Sequence, residues 1–105
     1  MMIDVAFLPG AWNDGRIEKM VSDLQELCHL TIVKELRHDF TPQGCTYLAL
    51  LSESHLAIHT YPEHDYISVD LYTCGGRADA RAAVGYFQRL SDVRKLWVEE
   101  RERGK

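Results

Sequence analysis

Three apolar, β-rich segments follow one another almost without a gap: 45–51 (CTYLALL), 55–61 (HLAIHTY) and 66–73 (YISVDLYT). Only residues 52–54 and 62–65 separate them. Connections this short leave no room for a crossover, so the three must be antiparallel neighbours in one sheet. The rest of the chain has to be arranged around that meander.

A strand is expected at 2–8 (MIDVAFL), broken by Pro9, Gly10, Asn13, Asp14 and Gly15. From Arg16 the period changes. Ile17, Met20, Val21, Leu24, Leu27 and Cys28 recur at helical spacing, with Asn13 or Asp14 near the helix start. Residues 30–38 (LTIVKELRH) alternate as a strand with mixed faces, and TPQG at 41–44 is a turn. Gly75-Gly76 closes the meander. A second helix then carries Ala82, Ala83, Tyr86, Phe87 and Leu90 on one face, and 93–98 (VRKLWV) is a last strand.

The order β-α-β-β-β-β-α-β predicts an α+β fold. The expected protomer is a two-layer α/β sandwich, with a mainly antiparallel sheet and two helices on one face. Several strands carry apolar residues on both parities, so the other sheet face calls for a partner. A homodimer joined sheet to sheet would make an α-β-β-α four-layer sandwich.

At 105 residues the chain is the size of one domain, 1–105. Its 46% hydrophobic and 27% charged content is that of an ordinary globular protein. A net charge of -4 supplies no basic face for nucleic acid. No apolar run approaches the roughly 20 residues a membrane span needs, and MMIDVAFLPGAW has no positive start for a signal peptide. Three cysteines (Cys28, Cys45 and Cys74) with no CxxC pair argue against a disulfide framework or a zinc knuckle. A reducing, cytoplasmic setting is expected.

The chemistry is concentrated in residues 51–64, LSESHLAIHTYPEH. Four readings are open. His55 and His59 are ordinary strand histidines in the first. In the second, His55, His59 and His64 bind a metal; but 55 and 59 are about 13 Å apart on a straight strand at about 3.3 Å per residue, too far to share one zinc. A third pairs Ser52 or Ser54 with His59 as a hydrolase, without the G-x-S-x-G elbow such enzymes use. In the fourth, a serine hydroxyl attacks its own preceding carbonyl. That N-to-O acyl shift needs a strained bond, donors for the oxyanion and a base. The corner Ser52-Glu53-Ser54 and His59 offer the bond and the base.

The run S-E-S-H-L-A-I-H-T-Y-P-E, followed by D-L-Y-T-C-G, resembles the prokaryotic S-adenosylmethionine decarboxylase proenzymes. These are small pyruvoyl-dependent enzymes of polyamine biosynthesis. The resemblance is dense over 44–76, and the element order is also similar to that family's. It implies self-cleavage of the Glu53–Ser54 bond, giving a β chain of residues 1–53 and an α chain of residues 54–105. Ser54 would become the pyruvoyl group, the covalent cofactor with which the substrate amine forms a Schiff base, and no metal is required. His59 would remove the serine α-proton during processing, with Thr46 as a hydroxyl helper. Cys74 would protonate the product carbon, and a thiol that is mostly protonated at neutral pH suits that task. Glu63 would hold the ribose hydroxyls. The partners implied are a small-molecule substrate and a second copy of the chain, with no nucleic acid and no membrane.

The opening MMIDVAFLPGAWND lacks the G-x-H-like segment with which relatives begin. Arginine or ornithine therefore stand beside S-adenosylmethionine as substrates. Adenine would call for aromatic faces, from among Phe7, Trp12, Phe40 and Tyr61. A basic amino acid would call for carboxylates such as Asp4, Asp14 or Asp65. A non-catalytic, unprocessed homologue that dimerises or regulates is the alternative of another class.

Overall fold

The computed structural model describes residues 1–52, 54–73 and 79–100. Its elements run β1 (Met2–Phe7), a 3₁₀ turn (Asp14–Arg16), α1 (Ile17–Leu27), β2 (Ile32–Asp39), β3 (Cys45–Leu51) and β4 (His55–Tyr61). A second 3₁₀ turn (Pro62–His64), β5 (Tyr66–Tyr72), α2 (Arg81–Arg89) and β6 (Val93–Glu99) complete it. All six strands form one antiparallel sheet in the order β2-β3-β4-β5-β1-β6. The meander β3-β4-β5 holds the middle, as its short connections demand, and β1 lies between β5 and β6.

Strand alternation sorts the side chains onto two faces. Tyr47, Ala49, Leu56, Ile58, Val69, Leu71, Ile3 and Val5 face the helices and are buried. Ile17, Met20, Val21 and Leu24 of α1 meet them, as do Ala83 and Phe87 of α2. Their i, i+3, i+4, i+7 spacing is why this stretch is a helix with one apolar stripe. Leu27 departs from the expected stripe: at the last turn of α1 it is 41% exposed. The helix ends in a Schellman-type cap, with His29 at φ 55° and the N–H of Leu30 reaching back to Gln25 O at 2.9 Å. β2 begins two residues later than the alternation predicts, and its pairing with β3 shifts between Ile32 and Lys34.

Among the described residues no helix covers the opposite face. Its register rows cross the whole sheet, one of them running His38, Thr46, His59, Ser68, Asp4 and Trp97. Met2, Leu36, Leu48, Leu50, Tyr61 and Trp97 stand on this face with large exposed surfaces. No helix among the described residues is long and apolar enough to cross a membrane.

Candidate active site

Ser54 stands at the corner between β3 and β4. The N–H of Leu51 donates to the Ser54 carbonyl at 2.9 Å, so these residues face each other across a tight hairpin. Ser54 is half-buried and precedes the first residue of β4. The parity that would set Ser54 and His59 on opposite faces of a straight strand therefore does not apply. Glu53 and Cys74, both expected in the site, lie outside the described residues.

Three other expected site residues come together at the far end of the same hairpin. Thr46 pairs with His59 across β3 and β4, and Thr46 Oγ1 lies 3.0 Å from His59 Nδ1. Glu63 follows on the 3₁₀ turn after β4. All three line a cavity of about 360 Å³ with Phe40, Gly44 and Tyr61. Phe40 and Tyr61 are half-exposed, whereas Phe7 and Trp12 stack on each other in the core at 5.2 Å. The structure thus removes Phe7 and Trp12 from the possible ligand stackers.

The hairpin corner does not bring His59 to Ser54 within one chain. The strand from His55 to His59 alone spans ~13 Å at about 3.3 Å per residue. The histidine next to Ser54 in the chain is His55, the first residue of β4. Its Nε2 lies 3.4 Å from Asp70 Oδ2 on β5, and its ring lies beside Tyr72, with centroids 5.7 Å apart.

The carboxylates weighed for a basic substrate are partly occupied. Asp65, at φ 48°, accepts the N–H groups of Gly10 and Trp12, while Asp14 accepts from the indole of Trp12. Burial pushes the Cys45 thiol up and the Cys28 thiol up to about 11, so both are neutral core groups rather than nucleophiles. Among the described residues no three His, Cys, Asp or Glu side chains converge to hold a metal ion. A larger depression of about 670 Å³ lies between α1 and β2 on the helix side and contains none of the expected site residues.

The family model described as S-adenosylmethionine decarboxylase matches residues 11–104. The chain belongs to the S-adenosylmethionine decarboxylase family. An S-adenosylmethionine decarboxylase proenzyme of Brevibacillus brevis is 39% identical over 93 residues, 88% of this chain and 70% of the relative. One of Methanococcus maripaludis is 39% identical over 88 residues, 84% of this chain and 72% of the relative. A crystal structure of the adenosylmethionine decarboxylase from Aquifex aeolicus superposes with a TM-score of 0.72 over 99% of this chain and 93% of that one. At 24% identity, that likeness concerns the fold.

For a member of this family, two features of the site escape sequence reasoning. The Thr46–His59 contact depends on register, which spacing alone does not reveal. The contact of His55 with Asp70 links residues fifteen positions apart on neighbouring strands; both carry chemistry in the sequence, but nothing there joins them.

Proposed function

We propose that this chain is a self-processing, pyruvoyl-dependent decarboxylase of S-adenosylmethionine. The observation that carries the reading is Ser54 at a tight hairpin corner, in a chain whose residues 11–104 match the S-adenosylmethionine decarboxylase family. Ser54 Oγ attacks the carbonyl carbon of Glu53, and the peptide bond becomes an ester. A base then takes the Ser54 α-proton. The ester carboxylate leaves with Glu53, and the new N-terminus loses its nitrogen as ammonia when water adds.

The base is His59. With Thr46 Oγ1 accepting from Nδ1–H, Nε2 keeps the lone pair that removes the proton. Because His59 is too far from Ser54 in its own chain, it serves the Ser54 of a second copy. The apolar residues Leu36, Leu48, Leu50 and Trp97 on the open face support such a face-to-face pair, since an exposed row this broad on a sheet marks an interface. Each of the two sites would then combine Ser54 from one subunit with Thr46, His59 and Glu63 from the other.

A pyruvoyl group formed from Ser54 would supply a carbonyl able to draw electrons from the scissile carbon–carboxylate bond. Ser54 fits as its source, being half-buried at the corner between β3 and β4. Glu63 accepts hydrogen bonds from ribose hydroxyls, and Phe40 and Tyr61 offer flat faces to an adenine beside it. Asp14 and Asp65 already hold the loop after β1, which leaves fewer carboxylates for arginine or ornithine. Cys74, in T-C-G, returns a proton to the product carbon.

The test is the intact mass of the purified protein. The 12.1 kDa chain should appear as two fragments of roughly half that mass each, the second lacking an N-terminal amine. Ser54→Ala should remain whole. Cleavage that persists in Ser54→Ala rules out this serine.

A further inference from the structure

His55 is joined to Ser54 by one peptide bond, so it stays next to the reacting centre after cleavage. Its position in the fold is fixed by register: it faces Leu50 on β3 and Tyr72 on β5, on the open side of the sheet. The side chain is 45% exposed, while Asp70 behind it is 25% exposed. The ring therefore has one side against the protein and one available to a ligand.

The partners of the ring determine its protons. A carboxylate only accepts, so Nε2, at 3.4 Å from Asp70 Oδ2, is the nitrogen that carries hydrogen. Contacts of this length in unliganded sites tighten when substrate binds. The tilted stack on Tyr72 limits rotation of the ring. In the neutral ring Nδ1 then keeps the lone pair. By covalent geometry it is the ring nitrogen nearer the main chain, and hence nearer residue 54.

We infer that His55 is a catalytic base in turnover and that Asp70 is its positioning residue. This rests on the pyruvoyl reading above. Nδ1 takes one proton from the α-ammonium of the substrate, leaving the amine the lone pair it needs to react. The imidazolium formed is balanced by the Asp70 carboxylate. The same proton returns to the product amine on release, so the pair ends the cycle as it began. His59 and His55 then divide the work: His59 acts once, in processing, and His55 acts in every turnover.

Two readouts test this. The first needs no active enzyme. In the uncleaved Ser54→Ala protein, nitrogen-15 NMR of the neutral His55 ring should show the Nε2–H tautomer. Adding Asp70→Asn should shift it toward Nδ1–H, because an amide can donate where the carboxylate could not. The second is kinetic. His55→Ala should still cleave into two fragments and still react with phenylhydrazine at its new N-terminus, while kcat falls by about 10²-fold or more with little change in KM. Imidazole in the buffer should restore part of the rate, which a purely structural role would not allow. Asp70→Asn should lower kcat through the wrong tautomer, and it serves as the second variant if His55→Ala does not fold.

A neutral Nδ1–H tautomer in the Ser54→Ala protein overturns the inference, as does full turnover by His55→Ala. A processed wild-type protein with either result leaves the pyruvoyl reading standing and removes only this role. A wild-type chain that never cleaves overturns both.

Discussion

Gly44 adopts φ 95°, a conformation open to glycine and costly to other residues. A Cβ there would meet the Thr60 carbonyl oxygen at 3.3 Å. Its own carbonyl accepts the N–H of Phe40 at 2.8 Å, so this glycine closes the turn that presents Phe40 to the cavity. Gly44→Ala should destabilise the protein by about 1–3 kcal/mol, from backbone strain. Its melting temperature should fall by several degrees, and a variant that melts like the wild type would show that the turn relaxes freely. At this scale the TPQG turn was readable from Pro and Gly, and so were the reactive residues as a set. What each one touches was not. Phe7 and Trp12 looked as available to a ligand as Phe40 and Tyr61, because an aromatic in a sequence carries no record of what buries it.

Among the elements, α1 and its cap show how local rules and packing combine. The apolar stripe Ile17, Met20, Val21, Leu24 made the helix legible, and the structure keeps it. The cap was not legible, because His29 rather than glycine takes the left-handed position. His29→Gly should therefore stabilise the fold by about 1 kcal/mol, seen as a higher denaturant midpoint with an unchanged slope. The two helices are linked by Tyr86 Oη, which donates to Asp23 Oδ2 at 3.0 Å. Burial, and then this hydrogen bond to Asp23, push the Tyr86 phenol up to about 12 from an ordinary 10.0. Between those values the unfolded chain has released its proton while the folded chain retains it. Stability should therefore fall as pH rises from about 10 towards 12. Tyr86→Phe should make that decline shallower in pH-resolved unfolding curves. Some decline should remain, since burial also raises Tyr47.

For the whole molecule, the proposed pairing of two chains would account both for the open sheet face and for the ~13 Å of strand from His55 to His59. A single protomer holds Ser54 and the Thr46–His59 pair, the two halves of the proposed processing site, at opposite ends of one hairpin. If the halves meet across a pair of chains, Ser54→Ala and His59→Ala proteins should each stay uncleaved as homodimers. When they are co-expressed, the His59→Ala chain should be cut, because it keeps Ser54 and borrows His59 from its partner. The Ser54→Ala chain should stay whole. Mass spectrometry of the mixed dimer reads both results, and a His59→Ala chain that is never cut in the mixture would place the base elsewhere.

The elements, their order and the antiparallel meander were legible from residues 1–105 without coordinates. Periodicity and short connections act locally, and nothing in the packing opposed them. The family was legible too, because S-E-S-H-L-A-I-H-T-Y-P-E and T-C-G lie together on a single stretch of chain. Which of those residues meet became visible with the folded sheet. Strand register set Thr46 against His59 and put Asp70 diagonally across from His55. Helix packing buried Phe7 and Trp12. Strand length kept His59 away from its own Ser54. Such contacts join residues distant along the chain or separate residues close along it, so they follow from the three-dimensional arrangement and not from spacing.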